Sequence, residues 1–521
     1  MKLICIVFLS FLNAVSVVGP IKAAEIINIE FEEMSIPISI DQLEKVAKYK
    51  NDSTELIDWF KNNGFEKLIG LSKFLEFPIF RENSFTKEIL RSWAGRKILS
   101  ELSNSIRIPN DGEGIEIYNT IELLLERQKQ VSTIEILKAL PSDQIILDLD
   151  NLISIISTWK NELAIQQLLL SKLDDLEKIN KNFVFKSREE VNEDIKPEFK
   201  KINVEYSEKP LNVEIWKSKN QQLQKELIIF MPGLGGDISN FRWLGFELAK
   251  LGWPVLFIDH SGSNSEALLA SIKGEKALPG GADFFLYRLK ELDTVIKSHK
   301  SGLFDVKSDS HILMGHSLGA LIAFLYQGDQ PQNGFESRCN DSLNDFALTN
   351  LSKLLQCQLS EIQLPKFDDL KNTKAIIGFN TFGSLIWPNQ KSSGIDIPVL
   401  LIGGTYDLIT PLATEQFNVF LSTKSNLKNR FLIVEGASHF SPIRVSDVNS
   451  ELPKADDIFI LNDNLIGSSP NDFQSLSIKV VKEFLFALNE DKEIDVVNKN
   501  KSDELNFHIF DKQYIKKILE N

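Results

Sequence analysis

The chain has 521 residues, 43% of them hydrophobic and 25% charged, and a formal net charge of −14 at pH 7. Such a length exceeds one ordinary domain and leaves ample apolar material for a core. The acidic balance, with no basic cluster to reverse it locally, excludes nucleic acid and an anionic membrane surface as partners.

At the start, Lys2 precedes an apolar run from Leu3 to Val18, and Gly19-Pro20-Ile21-Lys22-Ala23-Ala24 follows. A charged residue, an apolar stretch and then small residues is the order of a secretory signal peptide, so residues 1–23 are expected to direct export to the periplasm or the medium. The run is short for a spanning helix, and no transmembrane span is expected in the mature chain; an uncleaved anchor is the alternative. Cys5 lies in the apolar run, leaving Cys339 and Cys357. An exported protein with an even pair of cysteines can oxidise them, so a Cys339–Cys357 disulfide is expected, contributing about 3 kcal/mol. Two buried thiols are the alternative.

Residues 24–172 are poor in glycine and rich in helix formers, and read as a small all-α domain. One strand-like piece lies near Ile26–Phe31. Ser39-Ile40-Asp41-Gln42 has capping-box spacing before Leu43, Val46 and Ala47, and Asp52-Ser53-Thr54-Glu55 does the same before Leu56, Trp59 and Phe60. Further helical stripes run through Leu90, Trp93, Ala94 and Ile98, from Ile115 to Leu124, from Ile134 to Leu140, and from Leu152 to Leu173. No histidine precedes His260 and no acids gather at metal-ligand spacing, so no metal site and no cofactor are expected. Residues 173–200 turn polar and charged and read as a solvated linker.

From residue 201 to 490 the pattern alternates. Strand-like runs occur at Ile202–Tyr206, Leu211–Trp216, Leu227–Met231, Val255–Ile258, His311–Met314, Ala375–Phe379, Val399–Ile402 and Phe431–Val434, with helical stretches between several of them. Alternating strands and helices, with strands apolar throughout, predict an α/β fold: an eight-stranded, mostly parallel sheet buried on both faces, its first two strands antiparallel in character. Residues 325–371 form an insertion that holds both mature cysteines and reads as a lid over the site. Residues 491–521 read as a charged tail ending in a short basic helix.

The chemistry centres on Gly315-His316-Ser317-Leu318-Gly319, between a strand and a helix. This is the spacing of a nucleophile elbow, in which Gly315 and Gly319 avoid collisions with the neighbouring helix and strand. Alone, the pentapeptide could equally be a glycine turn with a buried serine. Chain order decides, since a triad on this plan runs Ser, acid, His, each at a strand's end. Asp407 follows Val399–Ile402, and His439 follows Phe431–Val434. Of six histidines only His439 and His508 come after Ser317, and His508 lies in the charged tail. Ser317, Asp407 and His439 are therefore the expected catalytic residues. An oxyanion hole is expected from the Leu318 N–H, after the nucleophile, and the Leu234 N–H, within Pro232-Gly233-Leu234-Gly235-Gly236. Gly233 and Gly235 leave that loop free to curl, although they could simply form a tight turn. His316 is expected to pack, His260 fits no triad slot, Asp259 could line the cleft, and Trp243 and Trp253 are expected in the core.

These segments, with Asp259-His260-Ser261-Gly262, Gly404-Thr405-Tyr406-Asp407 and Gly436-Ala437-Ser438-His439-Phe440, resemble the dienelactone-hydrolase-like and platelet-activating-factor-acetylhydrolase-like branch of the α/β-hydrolases. The resemblance covers about Lys201 to Leu488. Residues Ala24 to about Ile155 resemble the uncharacterised helical domain that precedes such hydrolases in cyanobacterial proteins. The resemblance implies an ester hydrolase whose oxyanion hole is formed at the positions of Leu234 and Leu318. Dienelactone hydrolases carry cysteine at the position of Ser317, so cleavage of that kind is not implied. The reading is a serine esterase acting on a small-molecule or lipid ester, acetyl esters included. The alternatives are a binding or scaffold protein on a hydrolase frame, and a lipase or peptidase of the same fold.

Overall fold

A computed structural model of the chain describes residues 26–31, 34–48, 75, 78–81, 99, 103–109, 114–128, 130–179, 183–187, 190, 195–204, 210–220, 225–267, 283–328, 330–344, 351–367, 370–388, 393–443, 470–503 and 505–520. The expected signal peptide, the helix after Asp52 and the stripe through Leu90, Trp93 and Ala94 lie outside the described residues. Two compact units are present, Met1–Glu82 with Ile98–Ile153, and Asn83–Lys97 with Ser154–Asn521.

The first unit is not all-α. It contains β1 (Ile26–Phe31), β2 (Met34–Ser39), α1 (Ile40–Lys48), β3 (Pro78–Arg81), β4 (Ile106–Arg107), α2 (Ile115–Arg127), β5 (Gln130–Ser132), α3 (Thr133–Ala139) and β6 (Ile145–Asp148). Strands β2-β1-β6-β4 form one sheet and β3-β5 a second. β1 pairs antiparallel with β2 and parallel with β6, Ile27 lying opposite Ile145. The strands are short, and β6 buries only Ile145 and Leu147. β1 is the strand-like piece expected at Ile26–Phe31, while the other short runs vanish among the longer helical stripes around them, which is why the sequence reads as helical elsewhere. Ser39 caps α1 as its spacing predicts: its N–H donates to Gln42 Oε1 at 3.1 Å and its Oγ accepts from Gln42 N–H at 3.2 Å.

Helix α4 (Leu149–Asp175) leads to β7 (Glu198–Ile202), β8 (Leu211–Trp216) and β9 (Leu227–Met231). Next come α5 (Arg242–Lys250), β10 (Val255–Asp259), α6 (Asp283–Lys300), β11 (His311–His316) and α7 (Leu318–Gln327). The insertion supplies α8 (Phe335–Asn344) and α9 (Leu351–Gln358), joined by a Cys339–Cys357 disulfide. Then follow β12 (Thr373–Phe379), β13 (Val399–Gly404), α10 (Phe417–Ser422), β14 (Arg430–Val434), α11 (Pro470–Glu490), β15 (Val497–Ser502), β16 (Leu505–Phe510) and α12 (Lys512–Glu520).

The sheet of the second unit has ten strands, in the order β15-β16-β14-β13-β12-β11-β9-β10-β8-β7. The central six, β14 to β10, run parallel, and antiparallel pairs flank them. Seven of the ten are the expected strands, while β7 meets the expected Ile202–Tyr206 only at Ile202 and otherwise lies in the segment read as a linker. The other two come from the segment read as a charged tail: β16 pairs with β14, placing His508 opposite Ile433. Lys499, Lys501 and Asp503 surround an apolar stripe of Val497, Phe507 and Ile509, and a charged hairpin at a sheet edge keeps its polar face in water. The segment read as a linker sets Phe185 against Phe507 at 5.7 Å between ring centroids, and Asn500 Nδ2 donates to Phe183 O at 3.3 Å.

Strand side chains alternate between two apolar layers. Leu227, Ile229 and Met231 of β9 join α6 and α7 on one face, while Ile228 and Phe230 join α5 and α11 on the other. The strand order places the site. The chain leaves β9 for β10 on one side and returns to β11 on the other, and such a reversal of strand order marks, at the carboxyl ends of the strands, the place where open α/β sheets bind ligands.

Candidate active site

Strand β11 ends at His316 and α7 begins at Leu318, so Ser317 alone makes the turn, with φ 52° and ψ −119°. Few residues other than glycine adopt a positive φ, and held there they store strain. Backbone bonds hold it: Ser317 N–H donates to Phe379 O at 2.8 Å, and Leu321 N–H donates to Ser317 O at 3.1 Å. The glycines permit the close approach. A Cβ on Gly315 would lie 2.4 Å from the Gly319 carbonyl carbon, and one on Gly319 would lie 1.9 Å from Met231 O. Leu318 is the first residue of α7, so its N–H has no acceptor within the helix and sits at the positive end of the helix dipole.

The loop after β9 lies against this elbow. A Cβ on Gly233 would sit 3.3 Å from Ser317 Cβ and 3.1 Å from His316 Nδ1. The loop curls through Gly235, at φ 73°, and Gly236 N–H donates to Gly233 O at 3.2 Å. Leu234 is partly buried at its tip.

Asp407 and His439 come together from the loops after β13 and β14. His439 Nδ1 lies 3.1 and 3.0 Å from the two Asp407 carboxylate oxygens. Gly404 lets these loops touch, since a Cβ there would lie 2.0 Å from Ala437 O. The carboxylate is fully buried and held by donors on both oxygens. Oδ1 accepts from the N–H groups of Ile409 at 3.0 Å and Thr410 at 2.8 Å. Oδ2 accepts from Asn380 Nδ2 at 2.7 Å, Thr410 Oγ1 at 2.6 Å and Gln416 Nε2 at 3.1 Å. Burial opposes the charge, but His439 and the hydrogen bonds from His439 and Thr410 outweigh it, so the Asp407 carboxyl titrates below its ordinary range. With Nδ1 facing a carboxylate, the His439 proton belongs on that nitrogen, and Nε2 is left as the base.

The other residues singled out from the sequence have distinct places. His316 is buried and packs on Phe241 at 5.5 Å between ring centroids. Its Nε2 lies 2.9 Å from His439 O. Burial first, and the neighbouring His439 second, push the His316 pKa down to about 3. His260 is buried with Nδ1 2.5 Å from Glu291 Oε2, and Asp259 Oδ1 accepts from Asn264 Nδ2 at 2.9 Å. Trp253 is fully buried, whereas Trp243 is partly exposed and its Nε1 donates to Pro442 O at 3.2 Å. His508 belongs to β16, where Nε2 pairs with Glu435 Oε1 at 2.9 Å. Among the described residues, no group of three or more His, Cys, Asp or Glu side chains could hold a metal ion.

Sequence reasoning passed over Asn380, Thr410 and Gln416, which supply four of the bonds to the Asp407 carboxylate, and Arg288, which holds the loop after β9. Asn380 offered a signal: it directly follows the uncharged run Ala375–Phe379, the kind of strand end beyond which Asp407 and His439 also lie. Gln416 and Arg288 offered none, because each reaches its target from inside a helical stretch.

Comparison with known proteins adds two separate stretches of hydrolase-type sequence. Residues 23–148 match a family model described as an alpha/beta hydrolase of unknown function (DUF1400), and residues 222–336 match one described as serine aminopeptidase, S33. Over 221 residues the chain is 20% identical to Cutinase 1 of Thermobifida cellulosilytica, a stretch covering 41% of this chain and 60% of that protein. It is also 20% identical over 221 residues to the cutinase of Thermobifida fusca (strain YX), covering 41% of this chain and 52% of that protein. The chain thus spans a little over half the length of these curated relatives. No described helix is long and apolar enough to cross a membrane.

Proposed function

We propose that the chain is a serine hydrolase that cleaves a carboxylic ester through an acyl-enzyme on Ser317. The observation that carries this reading is the His439–Asp407 pair at 3.0 Å, delivered by two strand ends to the residue beside a strained serine elbow. In the first step His439 Nε2 takes the Ser317 hydroxyl proton as Oγ attacks the ester carbonyl. Asp407 holds the imidazole and steadies the imidazolium. The oxyanion is received by the N–H groups of Leu318 and Leu234. The intermediate collapses, the alcohol leaves with the proton from His439, and a water activated by the same base then releases the acid.

An ester, rather than a peptide, is favoured by the likeness to two proteins named cutinases, while the serine aminopeptidase model makes a peptide the competing substrate. The acetyl or lipid ester class follows the resemblance to the acetylhydrolase-like branch. Export is part of the proposal. A disulfide between α8 and α9 suits an oxidising compartment, as does the leader-like start of the chain. The test is a panel of p-nitrophenyl esters of graded acyl length beside aminoacyl p-nitroanilides, with fluorophosphonate labelling of the purified protein. Turnover of a short ester and labelling that both vanish in Ser317→Ala are expected. Full ester turnover by that variant would overturn the reading, and turnover of anilides alone would replace the ester with a peptide.

A further inference from the structure

Helix α6 buries an arginine directly behind the loop after β9. Arg288 is 1% exposed, and four hydrogen bonds hold its guanidinium. Nη1 donates to Pro232 O at 2.6 Å, and Nη2 donates to Gly233 O at 2.9 Å and to Ser263 O at 3.3 Å. Nε donates to Ser263 Oγ at 2.7 Å. Desolvation of a charge here is costly, and the core could be filled by an apolar side chain instead. Glu291 and Asp259 lie near enough to favour the charged form. Burial still lowers the pKa to about 9, which leaves the group protonated at neutral pH.

The consequence falls on Leu234. The peptide joining Gly233 to Leu234 is trans, so its carbonyl and its N–H point in opposite directions. An arginine that draws the Gly233 carbonyl to the interior therefore turns the Leu234 N–H the other way. The far side of Leu234 is tied to the same support, since Gly235 N–H donates to Ser263 O at 2.9 Å. Ser263 N–H in turn donates to His260 O at 2.8 Å, so the strand end after β10 forms the shelf beneath the loop. A Cβ built on Gly233 would lie 3.3 Å from Ser317 Cβ, which places this loop beside the nucleophile.

We propose that Arg288 is a positioning residue for ester cleavage: with Ser263 it brackets Leu234 and aims its N–H at the oxygen that becomes the oxyanion. This rests on the serine hydrolase reading above. The positive charge behind the Gly233–Leu234 peptide also polarises it, which strengthens the N–H as a donor when charge develops on the substrate.

The test compares p-nitrophenyl acetate with its thiono analogue, whose sulfur is a poor hydrogen-bond acceptor. Arg288→Lys is expected to lower kcat on the oxygen ester about 100-fold, the scale of losing one oxyanion donor, with KM within about threefold of the parent. The thiono ester should suffer far less, so the ratio of the two rates falls about tenfold. A folded variant with kcat within about threefold of the parent, or with an equal fall on both esters, would overturn the proposal. Should Arg288→Lys fail to fold, Ser263→Ala removes one guanidinium contact. It is expected to lower kcat about tenfold with the same drop in the ratio, and an unchanged ratio there overturns the proposal. Failure of the hydrolase reading itself is separable, because it shows as full turnover in Ser317→Ala whatever Arg288 does.

Discussion

His316 Nε2 lies 2.9 Å from the carbonyl oxygen of His439, and the two imidazole rings are 4.9 Å apart. A carbonyl can only accept, so His316 must carry its proton on Nε2 and donate. The residue before the serine thereby fastens the backbone of the base to the elbow. It does so as a neutral ring, since burial pushes its pKa down to about 3.

Acid should weaken the fold through these buried histidines. His316 titrates at about 3, His260 well below 6.5, and His299 below 6.5, chiefly through burial. Below about pH 6.5 the unfolded chain takes up protons that the folded chain refuses, so stability is full above that pH and declines toward pH 3. His316→Gln keeps a donor for His439 O but removes one titrating group. Urea unfolding from pH 7 to 4.5 should show its slope against pH reduced by about 1 kcal/mol per unit. Parallel slopes for parent and variant would contradict this.

Asp407→Asn should keep the chain folded and remove most turnover. The amide cannot hold the His439 tautomer, and a fall in kcat of about 10⁴-fold is expected. Its NH₂ group would also face Asn380, Thr410 or Gln416, all donors, so a stability loss of about 1–3 kcal/mol should appear in thermal melts. A variant as stable and as active as the parent would remove Asp407 from its assigned place.

Ser317→Gly should be more stable than the parent. The backbone at φ 52° and ψ −119° suits glycine, and relieving it should add about 1 kcal/mol after glycine's entropy cost. Activity should be lost at the same time. A lower melting temperature would show that the elbow stores no strain.

Opening the disulfide should loosen the insertion. Cys339→Ser with Cys357→Ser is expected to cost about 3 kcal/mol in unfolding free energy. Gln356, beside Cys357, donates to both Glu415 oxygens at 3.2 and 3.1 Å, and Gln416 donates to Asp407, so the loss should reach the acid as a reduced kcat. Thiol titration of the denatured, unreduced mature protein should find no reactive thiol. Two would mean that the cysteines are free.

Much of the second unit was legible in the sequence because its central strands are continuous apolar runs that end in glycine or polar residues. Burial on both faces forces that composition, and each break marks a strand end. Ser317, Asp407 and His439 stand at such breaks, so chain order alone could nominate them. The hairpin of β15 and β16 escaped because a sheet edge tolerates lysines, and the first unit's strands other than β1 because they are short runs set among helical stripes. Tertiary structure alone decided which polar side chains inside helical stretches face inward. Arg288, Gln416 and Gln356 carry no local pattern, since a buried polar group is defined by partners far along the chain. The residues that break the apolar rhythm were therefore written in the sequence, while those that hold them at working distance appeared only once the layers had packed.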